Sequence, residues 1–304
     1  MPSWMENPFI NSPYANNKQY SLASILAKHG YSTAFYHGGI NGTMNFDSWA
    51  TTAGYQKYYG MNEYNDKKDF DQHWGIIDGP FLQKAAEEIN RQQPPFHAAL
   101  FTLSSHHPYF VPAPYDQLLA QGPYENSQSI RYADQALRLF FEKIKHYSWF
   151  KNTLFVFSAD HGSLSEHPWF VTTIGNESIP ILFYDPSNPQ QRLYSRSFSQ
   201  VDILPSTLKL IGYNQPFQAF GRPLYDTLPH ASMLYVNSVQ YYFGDSMMYR
   251  FNDGQFNTVN YYKQDSTLQH TVNGLYPQAE AEAIRYCQLL LQRYHHALIT
   301  DSLQ

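Results

Sequence analysis

Charge, cysteine and long apolar runs are all scarce in this sequence of 304 residues. Charged residues make up 15% of the chain, the formal net charge is −5, and there is no basic stripe. Proteins that bind nucleic acid normally carry such a stripe, so we expect no nucleic-acid partner. The single cysteine, Cys287, excludes an internal disulfide, which fits either a reducing compartment or an envelope protein without disulfides.

The sequence contains no run of 18 or more apolar residues and no signal peptide, so it predicts no membrane anchor in these residues. Aromatic residues, in contrast, reach 17%, with 26 Tyr and 21 Phe. Such a composition indicates either a large aromatic core or a surface that handles sugars or lipids. A chain of this length can bury one large α/β domain, with or without a small appendage.

One short apolar run ends at a pair of residues that suit metal chemistry. Residues 153–158 are rich in β-branched and aromatic side chains, which predicts a buried strand of a mostly parallel sheet. Asp160, His161 and Gly162 follow, and glycine permits a sharp turn there. Open α/β sheets bind ligands at the carboxyl ends of their strands, and a carboxylate beside an imidazole suits a divalent metal. The alternative is a turn aspartate next to a surface histidine.

Two more predicted strands also end near histidines. Residues 31–36 lead to His37, and residues 96–103 lead to His106. We therefore expect three strand ends to converge on a shared site. For His37 the alternative is a loop histidine packed on nearby aromatic rings, and His107 is interpreted as an exposed neighbour of His106.

The strand followed by Asp160-His161-Gly162 resembles the signature of the sulfatase branch of the alkaline phosphatase superfamily. Other segments resemble the lipoteichoic acid synthase-like branch, which includes phosphoglycerol transferases. They occur in the family's order over about residues 1–225. These segments are Phe35-Tyr36-His37-Gly38-Gly39, Trp74-Gly75-Ile76-Ile77-Asp78, Thr102-Leu103-Ser104-Ser105-His106-His107-Pro108-Tyr109, Ile179-Pro180-Ile181-Leu182-Phe183-Tyr184 and Val201-Asp202-Ile203-Leu204-Pro205-Ser206-Thr207.

The resemblance implies a metal-dependent phosphoryl- or sulfuryl-ester hydrolase or transferase of the cell envelope. It assigns Asp160 and His161 to a divalent metal ion, Mn²⁺ or Mg²⁺, with Ca²⁺ or Zn²⁺ as alternatives. It assigns His106 and His37 to the substrate, and it adds His167, because related sulfatases place a histidine that contacts the ester group at this spacing. The implied substrate is a phospho- or sulfo-ester, either lipid- or glycan-linked.

The chain departs from the family pattern in two ways. First, the pattern of the Gram-positive synthases has Asp, Trp and Arg at the positions that Gly39, Met44 and Phe46 occupy in this sequence. Without the Arg, a bidentate hydrogen bond to phosphate is lost. The family's early metal-binding acid and its Thr, Ser or Cys nucleophile have no match. We therefore expect an N-terminal truncation that leaves the chain inactive alone. Membrane attachment and a periplasmic, extracytoplasmic location would come from the missing segment.

The resemblance implies an α/β fold with a mostly parallel central sheet flanked by helices, of the alkaline phosphatase/sulfatase type. Residues 1–228 are predicted to form a partial catalytic domain, and residues 229–304 a subdomain with a small antiparallel sheet and a closing helix over 279–298. Asn252-Asp253-Gly254 is the hairpin signal in that sheet. A sulfatase proper and a non-catalytic remnant or binding module are the alternative functions.

Overall fold

The structure is a computed structural model that describes residues 2–227, 232–244, 246–252 and 255–303. Its internal contacts divide the chain into two compact units. The first, called here the parallel-sheet unit, comprises Ser21–Thr153 and Asp185–Ser187. The second, called the antiparallel-sheet unit, comprises Met1–Tyr20, Leu154–Tyr184 and Asn188–Gln304, so it combines the beginning of the chain with its end.

Three parallel strands form the sheet of the first unit, in the order β2-β1-β3. Its helices and strands are α1 (Leu22–Ala27), β1 (Ser32–His37), α2 (Phe46–Thr52), β2 (Lys57–Tyr59), α3 (Met61–Tyr64), α4 (Asp78–Asn90), β3 (Phe96–Phe101), α5 (Tyr115–Leu118) and α6 (Ser127–Ile144). The register places His37, the last residue of β1, opposite Phe101, the last residue of β3. Both predicted strands therefore end at the same edge of one sheet.

Local sequence accounts for these elements. Ser21 and Ser24 form a capping box at the start of α1, and Ala34, Phe35 and Tyr36 are buried in the central strand β1. Helices α4 and α6 pack against each other through apolar residues spaced three or four apart, as expected for amphipathic helices. Their buried side chains include Phe81, Leu82, Ala85, Ala86 and Ile89 of α4 and Tyr132, Ala136, Phe140 and Ile144 of α6.

The second unit contains two antiparallel sheets. Its elements are β4 (Phe155–Ser158), β5 (Ile181–Tyr184), α7 (Ile203–Leu210), β6 (Ser232–Val236), β7 (Val239–Phe243), β8 (Met248–Asn252), β9 (Gln255–Asn260) and α8 (Pro277–Ile299). Strand β4 pairs with β5 in the antiparallel sense, and it is half-buried with Ser158 exposed. The prediction of a buried, parallel β4 was therefore wrong, because the chain returns after residue 180 along β4 in the opposite direction.

The predicted C-terminal sheet and closing helix are both present. Strands β6 to β9 form an antiparallel meander, and α8 follows it. The predicted hairpin joins β8 to β9 with Asn252 opposite Gln255, while Asp253 and Gly254 lie outside the described residues. Cys287 is buried in α8 with its sulfur 3.7 Å from the Met233 sulfur, and burial raises the pKa of its thiol to about 11.

The N-terminal segment packs within the antiparallel-sheet unit. The Trp4 indole is buried and donates a 2.9 Å hydrogen bond from Nε1 to the Met233 carbonyl of β6. Tyr294 of α8 donates from its hydroxyl to the Pro2 carbonyl at 3.1 Å. Across the described residues, no helix has the length and apolar character needed to cross a bilayer.

Candidate functional site

The predicted site residues fall into both units. His37 and His106 follow the carboxyl ends of adjacent strands β1 and β3 in the parallel-sheet unit. Asp160, His161 and His167 follow β4 in the antiparallel-sheet unit. The geometry within each group shows what its side chains can do chemically.

Asp160 and His161 form an exposed pair directly after β4. Their side chains are 62% and 59% exposed, and Asp160 Oδ2 lies 3.6 Å from His161 Nε2. His161 Nδ1 is 2.6 Å from the Gly162 carbonyl oxygen. A carbonyl only accepts hydrogen bonds, so Nδ1 carries the hydrogen and Nε2 of the neutral ring presents its lone pair. The pair therefore presents one carboxylate oxygen and one imidazole nitrogen 3.6 Å apart on an exposed surface.

Tertiary contacts hold the backbone of this pair. Gly162 donates its N–H to the Asn176 carbonyl at 2.8 Å, and a Cβ at position 162 would collide with that carbonyl oxygen. Gly162 is therefore needed because its backbone lies so close to Asn176. The sequence had predicted a different reason for this glycine, a sharp turn of the chain. The Gln200 side chain donates to the carbonyls of Ala159 and Asp160, at 2.8 and 3.3 Å.

His167 has the opposite arrangement of ring hydrogens. Its Nδ1 accepts a 3.2 Å hydrogen bond from the Trp169 backbone N–H, so the neutral ring carries its hydrogen on Nε2. The ring is exposed and lies 5.3 Å from the Phe170 ring, centroid to centroid. His167 can therefore donate a hydrogen bond to an anionic oxygen.

The distance between Asp160 and His161 bears on whether the pair can hold a divalent metal. Two ligands that are each about 2.1 Å from a metal lie roughly 3.4 Å apart in a tetrahedral site, as for Zn²⁺, and roughly 3.0 Å apart in the octahedral site that Mg²⁺ prefers. Asp160 Oδ2 and His161 Nε2 lie 3.6 Å apart, so a small approach of the two side chains would bring them to either spacing. Metal-binding histidines commonly donate their other N–H to a carbonyl, as His161 does. In the part of the chain that the structure describes, no three His, Cys, Asp or Glu side chains form a metal-binding group. The pair thus fits two positions of a metal site and leaves the others unassigned.

His37 lies in a buried aromatic cluster. Its side chain is 2% exposed, its ring centroid is 4.4 Å from that of Phe46 and 5.5 Å from that of Phe101, and Nδ1 is 2.9 Å from the Tyr58 hydroxyl. Burial lowers the pKa of His37 to about 4, although nearby Asp47 opposes this shift. These contacts favour the packing interpretation, and a substrate contact by His37 stays a prediction.

His106 is exposed in the turn that follows β3. Its Nδ1 is 2.8 Å from the His107 carbonyl oxygen, so Nδ1 carries a hydrogen and Nε2 is left for other partners. The Trp74 indole meets the His106 ring edge-on, with centroids 4.4 Å apart. The same indole donates from Nε1 to the His107 carbonyl at 2.7 Å.

The buried Asp78 carboxylate fixes the end of β3, which precedes His106. Asp78 Oδ1 accepts the backbone N–H groups of Leu103 and Ser104, at 2.8 and 3.1 Å. Asp78 therefore ties the end of β3 to α4. Burial raises the pKa of the Asp78 carboxyl, and its Oδ2 has no hydrogen-bond partner among the described residues.

The loops after β1 and before α4 are joined by backbone hydrogen bonds. Gly39 and Gly75 form an antiparallel bridge, and Ile76 donates its N–H to the Gly38 carbonyl at 2.9 Å. The resemblance motifs around His37 and Trp74 are thus neighbours in space. Sequence reasoning did not assign a role to Trp74, although an Asp three residues before it, Asp71, is a recognisable turn signal.

The chain is similar in sequence to a known protein family and to several characterised proteins. The family model of sulfatases matches residues 1–213. Lipoteichoic acid synthase 1 of Bacillus subtilis (strain 168) is 26% identical over 228 residues, which are 69% of this chain and 36% of that protein. The chain spans about a third of the length of the curated relatives that it matches.

Two solved structures share the architecture. A protein of the alkaline phosphatase superfamily from Vibrio parahaemolyticus superposes with a TM-score of 0.79 at 23% identity, covering 96% of this chain and 73% of that one. The lipoteichoic acid synthase LtaP from Listeria monocytogenes gives a TM-score of 0.78 at 17% identity, covering 96% and 76%. At these identities the likeness shows the fold alone, and it confirms the predicted alkaline phosphatase/sulfatase-like class.

Proposed function

Because this chain belongs to the sulfatase family, we propose that it supplies metal- and substrate-binding residues of a phosphoryl- or sulfuryl-ester hydrolase or transferase. The similarity to a lipoteichoic acid synthase favours the phosphoryl ester. A lipid- or glycan-linked ester at the extracytoplasmic face of the cell envelope is the corresponding substrate and place of action.

The geometry of Asp160 and His161 is the observation that carries this proposal. The carboxylate and the imidazole lone pair lie 3.6 Å apart, both are exposed, and the other ring nitrogen is occupied by the Gly162 carbonyl. These two residues would hold Mn²⁺ or Mg²⁺, with Ca²⁺ or Zn²⁺ as alternatives. A bound divalent ion would lower the pKa of a hydroxyl nucleophile and neutralise charge on ester oxygens.

The chain's own histidines would act on the ester group in different ways. His167 presents an Nε2–H that can donate to an anionic oxygen of the substrate. His106 presents an Nε2 lone pair when neutral, and it presents a second N–H with a positive charge when protonated. One residue is thus suited to bind an oxygen, and the other to give or take a proton at the leaving oxygen.

Binding of Mn²⁺ by the chain tests the metal part. An ion that binds only the folded state raises the free energy of unfolding by about 1.4 kcal/mol at ten times its Kd. We expect this stabilisation in the unaltered chain, measured by urea denaturation with and without Mn²⁺. It should be lost in Asp160→Ala and in His161→Ala and kept in His106→Ala.

The matched control is His270→Ala. His270 Nδ1 lies 3.3 Å from Asp265 Oδ2, so the same unit contains a second Asp–His pair, with the histidine exposed, that no family motif assigns to a metal. The Mn²⁺ effect should survive this substitution. No Mn²⁺ effect in the unaltered chain, or an equal effect in Asp160→Ala, would exclude the metal assignment.

A sulfate-ester hydrolase is the second candidate, favoured by the position and ring hydrogen of His167. Dimethyl phosphate and methyl sulfate are single-charged ester anions that can be compared directly. With Mg²⁺ present, we expect dimethyl phosphate to shift the ring NMR signals of His106 and His167 at a lower concentration than methyl sulfate. The reverse order would favour a sulfatase, and no shift with either would favour a non-catalytic module.

A further inference from the structure

The backbone carbonyl of His107 accepts two side-chain hydrogen bonds. One comes from Trp74 Nε1 at 2.7 Å, and the other comes from His106 Nδ1 at 2.8 Å. The indole is thus linked to His106 in two ways. Both side chains donate to the same carbonyl, and the two rings meet edge-on with centroids 4.4 Å apart. His107 itself participates through its backbone, because its exposed ring contacts Tyr109 instead.

The hydrogen bond to the carbonyl selects one tautomer of His106. A neutral imidazole has one N–H, and the bond to the His107 carbonyl keeps it on Nδ1. The Trp74 indole N–H is a donor only, so its bond to this carbonyl is the same whichever tautomer His106 adopts. By holding the carbonyl in place, Trp74 keeps the acceptor where His106 Nδ1 meets it. Nε2 then stays available at the exposed side of the ring.

The backbone turn that carries Trp74 is held by hydrogen bonds to a buried carboxylate. The buried Asp71 carboxylate accepts three backbone N–H groups with Oδ1, those of His73, Trp74 and Gly75, at 2.8, 2.8 and 3.0 Å. The bridge between Gly39 and Gly75 anchors the next residue of the same turn. The indole therefore projects from a backbone that is fixed on both sides.

We propose that Trp74 is a positioning residue that fixes the tautomer and orientation of His106, so that Nε2 faces the substrate ester. This inference rests on the proposed function, since it assigns to Trp74 the task of orienting a substrate-binding histidine. The indole acts through the His107 carbonyl and does not itself contact the reacting atoms.

The test measures the His106 tautomer directly in the chain labelled with ¹⁵N-histidine. Long-range ¹H–¹⁵N spectra distinguish a protonated ring nitrogen from an unprotonated one, and His106→Gln identifies the His106 signals. In the unaltered chain we expect Nδ1 to be protonated. In Trp74→Phe the ratio of tautomers should shift about five-fold towards Nε2–H, the factor expected if the His106 Nδ1–H bond, worth about 1 kcal/mol, is lost once the indole no longer holds the carbonyl.

Trp149→Phe is the matched control. Trp149 lies in the same unit and donates from Nε1 to Asn90 Oδ1 at 3.1 Å, so its replacement also removes one indole hydrogen bond. The His106 ratio should be unchanged there. In case Phe at position 74 prevents folding, 3-benzothienylalanine keeps the two-ring shape and replaces the N–H by sulfur. A His106 ratio that is unaltered in the folded position-74 variants overturns the proposal.

Failure of this inference differs from failure of the proposed function. If Trp74 does not position His106, the tautomer ratio stays constant while dimethyl phosphate still shifts the His106 signals in the presence of Mg²⁺. If His106 does not bind the ester, dimethyl phosphate has no effect on those signals, and the tautomer ratio still depends on the indole N–H.

Discussion

Among single residues, the histidines of the candidate site differ in which ring nitrogen carries the hydrogen. His106 and His161 donate from Nδ1 to the carbonyl of the next residue, whereas His167 accepts at Nδ1 from a backbone N–H. Backbone groups thus decide whether each ring offers a lone pair or an N–H at Nε2. A lone pair suits a metal ligand, as proposed for His161, or a group that takes a proton, as proposed for His106, whereas an N–H suits contact with an ester oxygen, as proposed for His167.

His37 provides a pH-dependent prediction. Its pKa is lowered to about 4 in the folded protein from an ordinary value of 6.5, because the ring is buried. Between these values the unfolded chain binds a proton that the folded chain does not, so the stability present above pH 6.5 is lost as the pH falls towards 4. His37→Phe should reduce this loss by roughly 2 kcal/mol, measured by urea denaturation at pH 7 and pH 4.5.

Two comparisons make the His37 result interpretable. The pKa of His97 is also lowered to about 4 by burial, so a smaller pH dependence should remain in His37→Phe. His270, whose side chain is 84% exposed, is the control, and His270→Ala should keep the full dependence. A His37→Phe variant with an unaltered pH dependence would mean that the ring is solvated, as a substrate-contacting histidine requires.

At the level of structural elements, Gly75 allows the loop before α4 to pack closely against the loop after β1. A Cβ at Gly75 would collide with the Gly38 carbonyl oxygen and would lie 2.7 Å from Gly39 Cα. Gly75→Ala must therefore separate the loop after β1 from the loop before α4. We expect a loss of at least about 2 kcal/mol in the free energy of unfolding, measured by urea denaturation.

Gly244 offers a matched substitution without this clash. A Cβ there would have only the Met247 carbonyl oxygen near it, at 3.7 Å. Gly244→Ala should change the free energy of unfolding by no more than about 0.5 kcal/mol. Equal effects of Gly75→Ala and Gly244→Ala would show that separating the two loops does not lower the free energy of unfolding.

Much of this element structure was predictable from local patterns. Apolar runs followed by Asp or His predicted where β1, β3 and β4 lie along the chain, and the closing helix over 279–298 was predicted within α8. The antiparallel direction of β4 was not predictable, because a short apolar run such as residues 153–158 can pair in either direction. The contact of Trp74 with His107 joins residues 33 positions apart, and no local pattern encodes it.

In the whole molecule, the segment after Asp160 and His161 depends on the C-terminal sheet. Ile174 is buried in one cluster with Tyr241, Phe243 and Met248 of that sheet. Trp169, whose N–H bonds His167, packs against the same cluster. Trp4, from the beginning of the chain, donates to Met233 of β6. The candidate metal-binding loop is thus supported by residues that lie far along the chain.

A chain that ends at residue 228 tests this dependence and the predicted domain boundary together. It keeps Asp160 and His161 but loses β6 to β9 and α8, which leaves Ile174 and Trp4 without their buried partners. Hydrogen exchange should show residues 154–184 unprotected, while β1, β3 and α4 keep their protection, because their sheet lies within the other unit. Stabilisation by Mn²⁺ should disappear as well. Protection of residues 154–184 as in the full chain would instead establish residues 1–228 as an independently folding domain.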